Sequence, residues 1–360
     1  MDIIIEARAL AAKSGGVKTY TYELIKNLQE LHPEALMELI YGSRAIGTFP
    51  STTQQVIPLR SELLLPWWLS GPVAQYVETR KPSVVHYTKA AITKYSRIPT
   101  VVTIYDIIPI LMPQTQSPLR RMYWPRVLRT AADRADHIMT ISQRSKRDII
   151  EHFRIAEEKV TVTPLAVDLA HFKPGSRIPR GKPYVLFVGT RDERKNIVSL
   201  IRAFAQIADR IPHQLIIAGR PAKKQDNSVA TAKEFGLVDR VEFREHVSYQ
   251  ELPALYAGAD IFVWPSLYEG WGFPPQEAMA CGTPVIVSDG GPLPEVVGDA
   301  GITVPLGSNF VDQLADEMLT LISDEARRKE LSTKGLARVQ QFSWKDVAEK
   351  TWDVYQKVAV

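Results

Sequence analysis

The sequence has 360 residues, more than one hydrophobic core usually supports, so its length predicts two domains that each bury a core. Hydrophobic residues make up 45% of the chain and charged residues 23%, as in ordinary globular proteins. The net charge of +4 suits anionic ligands such as nucleotides or an acidic membrane face, but it is too small to indicate a nucleic-acid partner, and no groove-reading motif is present.

Cysteine usage and the N-terminal segment predict a cellular compartment. Cys281 is the only cysteine, which excludes an internal disulfide and a cysteine-built metal site and fits a reducing compartment. Residues 1–10 carry acids inside an apolar run, which predicts a first strand and not a signal peptide. No run of about 18 apolar residues occurs, so no membrane span is expected. We therefore expect a cytoplasmic protein. Peripheral association with the inner face of the plasma membrane is the alternative.

Short β-branched runs alternate with helix-like segments through the first half of the chain. Several of these runs are apolar on both faces, as parallel strands covered by helices are. The alternation predicts an α/β fold with a doubly wound sheet and right-handed crossovers. Strands are predicted at 2–7, 37–42, 54–59, 83–88, 100–106, 137–142 and 160–165, and helices near 17–31, 68–80, 117–133 and 143–153.

The segment 171–183 interrupts this alternation with three prolines, two glycines and five basic residues, which predicts an interdomain linker. The same alternation then restarts, so the sequence predicts an N-terminal domain over 1–170, a C-terminal domain over 184–343 and a final helix over 344–360. Strands are predicted at 184–189, 214–219, 241–246, 261–265, 284–289 and 301–306, and closing helices near 309–323, 325–340 and 344–357.

The last helix carries Trp344, Val347, Trp352 and Tyr355 at roughly helical spacing. This stripe predicts packing across the domain junction, with the first domain as one surface that the helix would reach. Two doubly wound domains that face each other place the carboxyl ends of both sheets on one cleft, where ligands of such sheets bind. Candidate chemistry is therefore expected in loops that follow strands.

Two loops that follow predicted strands carry groups that can bind an anion. Gly15 and Gly16 follow the first predicted strand and open an amphipathic helix, so their backbone amides can approach a phosphate; the alternative is a tight turn. Arg191, Arg194 and Lys195 follow the strand 184–189 and would neutralise a diphosphate; the alternative is a solvated basic loop. The residues alone leave both pairs of alternatives open.

Other strand ends carry polar side chains. His86 is either catalytic or a structural histidine satisfied by its neighbours. Asp106 either orients an acceptor hydroxyl or caps the turn before Pro109. His246 and Val247 precede Ser248, which is a helix N-cap in the simpler interpretation and part of a nucleobase-binding loop in the functional one.

The segment SLYEGWGFPPQEAMACGTP (266–284) is predicted to connect a strand to a helix. Because prolines suit a first helical turn, Pro274 and Pro275 place Glu277 in that turn and Glu269 in the loop before it. A carboxylate in a first turn can accept two hydrogen bonds from a ribose diol, and the glycines and amides beside it offer an anion site. The two glutamates also suggest a glycosidase acid/base pair, but their separation in sequence does not specify hydrolysis.

Glu269 and Glu277, with seven residues between them, match a known signature, and the chain resembles the retaining glycosyltransferases of family four, which have the GT-B fold of two Rossmann-like domains. The Gly15–Gly16 pair, the segments 187–196, 241–248 and 255–266 and the closing helix agree with that family in the same order. The resemblance covers nearly the whole chain.

The resemblance implies a role for each matching residue. Glu277 would bind the ribose hydroxyls of the donor nucleotide, and Glu269 would contact the transferred sugar near the reacting centre. Arg194 and Lys195 would hold the diphosphate. Further donor contacts are implied for Gly15, Gly16, His246, Val247 and the amides of Gly270, Trp271, Gly272 and Phe273. Family members need no metal or other cofactor, because cationic side chains and helix dipoles replace it.

The chain departs from the family in two places. Many relatives carry a histidine that points at the donor sugar where this chain has Tyr105, next to Asp106, and a tyrosine is not a cation near neutral pH. Asp106 and His86 are therefore the alternatives for that sugar contact. Some relatives have an arginine directly after the glycine of the cationic loop, where this chain has Thr190, so Arg191 is expected to compensate.

The resemblance implies a retaining, metal-independent glycosyltransferase that moves a hexose from a nucleotide diphosphate sugar to a glycan or polyprenyl-linked acceptor in surface polysaccharide or lipopolysaccharide synthesis. GDP-mannose is the first expected donor, followed by UDP- and dTDP-sugars. The alternatives are a nucleotide-sugar epimerase on the same fold and a non-catalytic sugar-nucleotide or glycan-binding protein. A nicotinamide dehydrogenase is disfavoured because the dinucleotide glycine fingerprint is missing.

Acceptor recognition is expected in the first domain. The segments 63–82 and 117–134 mix tryptophan, leucine and basic residues, as helices that rest on an anionic membrane do. The alternative is that Trp67, Trp68 and Trp124 belong to the core.

Overall fold

The computed structural model describes residues 1–12, 15–43, 49, 51–93, 97–175, 181–221 and 226–359. The chain divides into two compact units. The first unit combines Met1–Leu165 with Ser343–Val360, and the second unit is Ala166–Phe342. Part of the predicted linker 171–183 lies outside the described residues, at 176–180.

The first unit contains one sheet of seven strands, and every adjacent pair is parallel. The strands are β1 (Asp2–Glu6), β2 (Leu36–Tyr41), β3 (Thr52–Val56), β4 (Val84–Tyr87), β5 (Thr100–Thr103), β6 (His137–Thr140) and β7 (Val160–Val162). They pair in the order β3-β2-β1-β4-β5-β6-β7, so the strand order reverses between β1 and β4, the kind of position where such sheets bind ligands. Every residue of β4, β5 and β6 is buried, because helices cover both faces of the sheet.

The described residues of Met1–Leu165 form six α-helices. They are α1 (Gly16–Leu31), α2 (Leu65–Trp68), α3 (Ala74–Arg80), α4 (Ile108–Leu111), α5 (Pro118–Arg134) and α6 (Gln143–Phe153). The single helix expected near 68–80 is divided instead, since a π-helical turn, Leu69–Val73, separates α2 from α3. Pro72 lies inside that turn and has no backbone N–H, which explains the local change of hydrogen-bonding pattern.

The second unit contains a six-stranded parallel sheet. Its strands are β8 (Tyr184–Val188), β9 (Gln214–Ala218), β10 (Val241–Arg244), β11 (Ile261–Trp264), β12 (Val285–Ser288) and β13 (Gly301–Val304). They pair in the order β10-β9-β8-β11-β12-β13, which places a second reversal between β8 and β11. Its helices are α7 (Ile197–Ile207), α8 (Ser228–Glu234), α9 (Leu252–Ala257), α10 (Phe273–Ala280), α11 (Leu293–Val297), α12 (Phe310–Ser323) and α13 (Glu325–Val339). The predicted α/β architecture of two doubly wound sheets is thus confirmed.

The last helix, α14 (Trp344–Val358), belongs to the first unit and packs against α1. The His32 ring stacks on Trp352 with centroids 3.7 Å apart, and Trp344 meets the edge of Tyr20. Val347, Trp352 and Tyr355 of the predicted apolar stripe are buried. The chain therefore returns to its first unit after the second is complete, as the stripe predicts.

The tryptophans of the first unit divide between core and surface. Trp68 is fully buried, and its Nε1 donates to the Ile57 carbonyl at 2.8 Å. Its neighbour Trp67 is 65% exposed, and Trp124 in α5 is half-buried. In the described part of the chain, no helix is both long enough and apolar enough to cross a membrane.

Candidate active site

The connection between β11 and α10 carries the signature glutamates. Helix α10 begins at Phe273, with Pro274 and Pro275 in its first turn, where their missing N–H groups cost nothing. Glu277 is consequently the fifth helical residue, and the first turn contains no acidic residue. The prediction that Glu277 lies in the first turn is wrong, because the helix starts one residue before the prolines.

A glycine pair that the sequence reasoning missed supports this connection. Gly291 has a φ of +73°, which favours glycine, and a Cβ there would lie 2.6 Å from the Glu269 carbonyl oxygen. A Cβ at Gly290 would lie 2.2 Å from the carbonyl oxygen of Ser266. The backbone at 290–291 thus packs directly against the loop that carries Glu269. The sequence contains the signal for this contact, a Gly-Gly pair directly after the strand predicted at 284–289.

The glycines of the connection itself do not need unusual backbone angles. Gly272 has an extended φ of 164°, and Gly270 is not among the glycines with positive φ. The indole of Trp271 is buried in the second unit, where its Nε1 donates to Gln276 Oε1 at 3.0 Å and its ring meets the edge of Phe342. Only the backbone of this part of the loop, together with the half-buried Phe273, remains for a ligand to contact.

Glu269, Arg194 and Lys195 form one cluster, called here the charged triad. Arg194 Nη1 donates to Glu269 Oε2 at 2.6 Å, and Lys195 Nζ donates to Glu269 Oε1 at 2.5 Å. Both cations lie in the 3-10 helix Glu193–Lys195, which directly follows β8 and its loop, so the switch point of the second sheet brings them to Glu269. The structure therefore assembles three residues that are far apart in sequence.

Neighbouring groups fix the triad in place. Ser266 Oγ donates to Glu269 Oε1 at 2.6 Å, and Arg194 Nη1 also donates to the Tyr268 carbonyl at 2.7 Å. Lys195 Nζ lies 4.4 Å from the centroid of the Trp264 ring, a cation–π contact. Glu269 and Lys195 are each only 8% exposed. The triad is thus a rigid, largely dehydrated cluster.

The triad keeps its carboxyl group ionised. Burial alone would raise the pKa of Glu269, but the charges of Lys195 and Arg194 and the hydrogen bonds to the carboxylate outweigh it, so this pKa lies below its usual value. Burial lowers the pKa of Lys195, and the Glu269 charge opposes that change. Two cations surround one carboxylate, which leaves an excess of one positive charge for an anionic ligand.

Glu277 has a different environment from Glu269. It is half-buried, and its Oε2 accepts a hydrogen bond from the hydroxyl of Tyr256, a fully buried residue of α9. Burial raises the pKa of Glu277 to about 7, against a lowering by the Tyr256 hydrogen bond. Sequence reasoning missed Tyr256 as the partner of this carboxyl group. The two signature glutamates therefore differ in charge state near neutral pH.

Arg191 is largely buried. It is 4% exposed, its Nε donates to Asp226 Oδ2 at 2.7 Å, and its guanidinium lies 5.0 Å from the centroid of Phe243. Its Nη1 has no hydrogen-bond partner among the described residues, and the role of Arg191 as a donor contact stays a prediction. Thr190 donates to Asp192 Oδ2 at 2.8 Å and is exposed.

A cavity of about 400 Å³ adjoins the same loop and is lined by residues that include Arg191, Asp192, Asn196, Asp226 and Leu267. The three side chains of the charged triad are not among its described lining residues.

The loop after β10 holds the predicted base contact. His246 is exposed and Val247 is half-buried, and one residue, Glu245, separates them from the end of the strand. The backbone N–H and the hydroxyl of Ser248 both donate to Glu251 Oε2, at 2.9 and 2.7 Å. Ser248 thus caps the 3-10 helix Tyr249–Glu251, as the simpler interpretation predicts, and this leaves His246 and Val247 as the surface of the loop.

In the first unit, Gly15 has a φ of 121° and directly precedes α1, whose N-terminus has no side-chain cap among the described residues. No heavy atom in the described part of the chain lies within 4 Å of a Cβ built there, so the backbone angle favours glycine at this position. Gly16 is the first residue of the helix. The neighbouring Lys13 and Ser14 lie outside the described residues.

His86 is a structural residue, which corrects the catalytic alternative. It is the third residue of β4, fully buried, with Nδ1 2.6 Å from the Tyr355 hydroxyl and Nε2 2.9 Å from Thr103 Oγ1. Burial lowers its pKa to about 3, so the ring is neutral. Both ring nitrogens are thus occupied by protein hydroxyls, one of them from Tyr355 of α14.

Tyr105 and Asp106 lie just beyond β5. The Tyr105 hydroxyl donates to the Thr88 carbonyl at 2.8 Å, and its ring meets Tyr20 edge-on at 5.3 Å. Asp106 Oδ1 accepts the N–H of Ile108 at 2.9 Å, immediately before α4. The structure thus shows the turn-capping contact of Asp106, and both residues are half-buried.

The structure brings Arg194, Lys195 and Glu269 into direct contact and carries Glu277 on the helix that follows the same loop. Gly15, Gly16, Tyr105 and Asp106 lie in the first unit and are described there. Within the described residues, no group of three or more histidine, cysteine, aspartate or glutamate side chains is arranged to hold a metal ion.

Comparison with known families places two domain models on the chain. Residues 14–171 match the model described as Glycosyltransferase Family 4, and residues 169–338 match the model described as Glycosyl transferases group 1. The two matches together extend over most of the sequence.

Individual proteins agree with these family matches. The chain is 28% identical to O-antigen chain mannosyltransferase B of Escherichia coli, over 99% of this chain and 100% of that protein. It is 34% identical to MMP alpha-(1->4)-mannosyltransferase of Mycolicibacterium hassiacum, over 66% of this chain and 58% of that protein.

A solved structure agrees with the fold. Sucrose-phosphate synthase from Thermosynechococcus elongatus superimposes with a TM-score of 0.79 at 22% identity, over 99% of this chain and 98% of that one. This likeness confirms the predicted fold class.

Proposed function

We propose that this chain, a glycosyltransferase with a Family 4 domain in its first half and a group 1 domain in its second, moves a mannosyl residue from a nucleotide diphosphate sugar to a surface glycan. The full-length similarity to an O-antigen chain mannosyltransferase and the similarity to a second mannosyltransferase support mannose as the transferred sugar. GDP-mannose is the proposed donor, and a glycan or polyprenyl-linked glycan is the proposed acceptor.

The charged triad is the observation that carries this proposal. Negative charge develops on the leaving diphosphate as the anomeric bond breaks, and fixed cations stabilise it most when they are dehydrated and already in place. Arg194 and Lys195 meet that requirement, since Glu269, Ser266 and Trp264 hold them. The two side chains would supply the positive charge for which other transferases use a metal ion.

The proposed reaction retains the anomeric configuration. The bond between the sugar C1 and the leaving phosphate oxygen breaks, the acceptor oxygen bonds to C1 on the same face, and the acceptor proton passes to a donor phosphate oxygen. Glu269 would contact the sugar near C1. Because the charges of Arg194 and Lys195 keep it ionised, it is suited to stabilise a positively charged sugar.

Glu277 is proposed to bind the ribose of the donor. Its carboxyl group is held by the buried Tyr256 hydroxyl through one oxygen, Oε2. With a pKa near 7 it exists in both protonation states around neutrality, and either state accepts hydrogen bonds from a vicinal diol. The exposed loop at His246 and Val247 is the proposed base contact, and the backbone of Gly15 and Gly16 is a further proposed phosphate contact.

A membrane-facing surface is part of the proposal. The first unit exposes Leu63 and Trp67 around α2 and Leu119 and Met122 on α5, with 87%, 65%, 78% and 64% of their surface accessible. Helix α5 also carries Arg120, Arg121, Arg126 and Arg129. Exposed apolar side chains with nearby arginines suit the face of an anionic membrane, where a lipid-linked acceptor would be held.

The donor proposal is tested first by a thermal-shift screen with GDP, UDP, dTDP and ADP. A ligand that binds only the folded state raises its Tm, so GDP should give the largest increase. A transfer assay with GDP-mannose and a panel of free and lipid-linked glycans should then give an α-configured product by NMR, with turnover unchanged by a chelator. The proposal is refuted if no nucleotide raises Tm, and an isomerised sugar formed without acceptor would favour an epimerase.

The membrane proposal is tested by sedimentation with phosphatidylglycerol vesicles and with phosphatidylcholine vesicles. Wild-type protein should sediment with the anionic vesicles at low salt, and Trp67→Ser should weaken that binding. Val238→Ser is a matched control, because Val238 is also well exposed, at 62%, but lies in the second unit. No sedimentation of the wild type at low salt would refute the membrane contact.

A further inference from the structure

The described contacts leave one carboxylate oxygen of the two signature glutamates open, Oε1 of Glu277. Glu269 uses both of its oxygens within the protein, since the two cations of the charged triad and Ser266 donate to them. Glu277 accepts a hydrogen bond at Oε2 alone, from Tyr256. Its Oε1 has no hydrogen-bond partner among the described residues, and it is not one of the polar atoms that are buried without a partner. Because Glu277 is only half-buried, a ligand can reach this oxygen.

Tyr256 is held firmly in the position from which it reaches Glu277. It is fully buried in α9, and its hydroxyl donates to Glu277 Oε2 at 2.7 Å. Its ring meets Phe172 and Phe262 edge-on, with centroids 6.0 and 5.5 Å away. Thr283 Oγ1 donates to its backbone carbonyl at 2.7 Å. The ring, the backbone and the hydroxyl of Tyr256 are thus each fixed by a separate contact.

The Tyr256 hydroxyl in turn fixes the carboxyl group of Glu277. The terminal torsion of a glutamate side chain is broad, so an unsupported carboxyl group rotates freely. Burial and the charge of Glu277 raise the pKa of Tyr256 well above its usual value, so the hydroxyl remains a hydrogen-bond donor. A tyrosine hydroxyl has one hydrogen to donate, and here it is given to Oε2. The lone pairs of Oε1 are left for a ligand, in an orientation that the protein sets.

We propose that Tyr256 positions Glu277 to bind both hydroxyls of a ribose, so that this site takes ribonucleotide donors and discriminates against 2′-deoxyribonucleotide donors. Both ribose hydroxyls can donate to one fixed carboxyl group, whereas a 2′-deoxyribose offers only one. A site built to bind a hydroxyl rejects an analogue that lacks it, because a polar group then loses its partner. This inference rests on the proposed transfer from a nucleotide sugar, and it adds the class of nucleotide and the residue that selects it.

The inference divides the expected donors into two groups. GDP- and UDP-sugars carry both ribose hydroxyls, and dTDP-sugars lack the 2′-hydroxyl. The two groups therefore differ in the number of hydrogen bonds that they can donate to Glu277, whatever their base and transferred sugar.

A second tyrosine of the same unit provides a matched control. Tyr184 is 2% exposed, and its hydroxyl donates at 2.7 Å to the carbonyl of Leu255, the residue before Tyr256 in α9. Tyr184→Phe and Tyr256→Phe thus each remove a buried tyrosine hydroxyl that bonds to or from α9. Of the two, only Tyr256→Phe removes a hydrogen bond to Glu277.

The test measures the binding of GDP and of 2′-deoxy-GDP to the full chain by calorimetry. The wild type should bind GDP about tenfold or more tightly than 2′-deoxy-GDP, as the loss of a hydrogen bond to a charged group predicts. Tyr256→Phe keeps the ring, but its freed carboxyl group no longer meets both hydroxyls in one orientation. Its GDP affinity should fall about tenfold, and its preference for GDP should fall to about threefold or less. Tyr184→Phe should keep the wild-type preference.

Transfer kinetics and Tm separate positioning from a merely structural role. In Tyr256→Phe, the KM for GDP-mannose should rise about tenfold while kcat stays within about twofold, because the ribose is bound equally in the ground state and the transition state. A tyrosine that only stabilises the fold would lower Tm in its variant and leave both KM and the preference for GDP unchanged.

The inference is overturned if the wild type binds GDP and 2′-deoxy-GDP equally, a result that needs no variant. It is also overturned if Tyr256→Phe keeps the wild-type preference, or if Tyr184→Phe loses it to the same extent. A transfer assay with GDP-mannose on the same samples separates the two proposals. Transfer by a wild type that has no preference removes only this inference, whereas the absence of both GDP binding and transfer removes the proposed function and this inference with it.

Discussion

The carboxyl edges of the two sheets differ in how their charged side chains are satisfied. In the second unit, Glu269 has hydrogen bonds from Arg194, Lys195 and Ser266, so the triad is complete without a ligand. In the first unit, Glu6 and Arg8 are as deeply buried but leave three polar atoms without a partner in the described structure. The charged triad is therefore satisfied within the protein, whereas the Glu6–Arg8 pair is not satisfied by the described residues.

The largest expected effect is a loss of turnover when one cation of the charged triad is removed. Lys195→Ala should lower turnover by about 10²–10³-fold, because a fixed, dehydrated cation is removed from the leaving diphosphate. The measurement is kcat for mannosyl transfer at saturating donor.

Lys159→Ala is the control for that variant. Lys159 is a half-buried lysine of the first unit, and its Nζ donates to the Ala132 carbonyl. Its variant should keep turnover within about twofold, since surface and partly buried contacts mainly affect stability. Equal losses in the two variants would contradict the role given to Lys195.

Glu269→Gln should lower turnover by about 10²-fold, since the carboxylate no longer stabilises positive charge on the sugar. GDP affinity should stay the same or increase, because the two cations lose the anion that occupies them. The two effects are measured by transfer kinetics and by calorimetry.

Glu242→Gln provides the comparison in the same unit. Glu242 pairs with Arg244, also through the carboxylate, but on β10 and outside the triad. This variant should change neither turnover nor GDP affinity. A fall in GDP affinity in Glu269→Gln would show that the carboxylate is needed to position Arg194 and Lys195 for the diphosphate, and it would contradict the expected gain from removing a negative charge.

Glu277→Gln tests the pKa of the second glutamate. Its pKa is raised from the usual 4.5 to about 7, so the folded protein holds a proton there that the unfolded chain has lost. Wild-type stability should therefore decrease as the pH rises from about 4.5 to about 7, and Glu277→Gln should remove this contribution.

The readout for Glu277 is Tm as a function of pH, without ligand, in the wild type and in the variant. A difference of a few degrees that appears only across this pH window is expected. Donor affinity should fall about tenfold in the variant, as for the loss of one ribose hydrogen bond. Parallel Tm profiles in the two proteins would contradict the raised pKa.

The smallest effect on catalysis is expected at His86. Its pKa is lowered from 6.5 to about 3 in the folded protein. As the pH falls through this range, His86 becomes protonated in the unfolded chain but stays neutral in the folded one, so the folded state loses stability. His86→Gln should lower Tm by several degrees near neutrality through loss of packing and hydrogen bonds, and it should flatten the loss of stability at acid pH.

Turnover of His86→Gln, measured at a temperature where the variant remains folded, should stay within about twofold of the wild type, because the ring touches only protein groups. His152→Gln, at an exposed position in α6, should change neither Tm nor turnover. A large fall in kcat without a fall in Tm would restore His86 as a catalytic residue.

The strands were readable from the sequence because parallel strands covered on both faces are continuous apolar runs. Val84–Tyr87 and Val285–Ser288 are buried at every position, and each lies within a predicted strand. The same pattern places Arg194 and Lys195 in a loop after a strand, which the structure confirms. Their direct contacts with Glu269 were not predicted from the sequence.

Contacts made across the fold were not readable in the same way. His86 ends in the core because Tyr355, 269 residues later in the chain, covers it and bonds to its ring. Arg191 is held by Asp226, which lies in a different loop. A strand-end position predicts that a side chain is near the edge of the sheet, but the partner that occupies the side chain is fixed only by tertiary structure.

Adjacent residues of one type show the same limit. Trp67 and Trp68 are neighbours in a short helix, yet one is 65% exposed and the other is fully buried. Mixed composition predicted either membrane contact or core for the whole segment. Consecutive helical residues point about 100° apart, so neighbouring tryptophans in one helix can be exposed and buried. The composition of the segment does not distinguish the two positions; only the packing of the helix does.

The return of α14 to the first unit has a consequence for synthesis of the chain. The first unit is completed by Ser343–Val360, which are translated after the whole of the second unit. Until these residues leave the ribosome, Tyr20, His32 and His86 lack their contacts with α14, whereas all of Ala166–Phe342 has been made. The second unit is thus able to finish folding before the first, and a stop codon shortly after Phe342 would damage the first unit although that unit's main segment lies upstream of the codon.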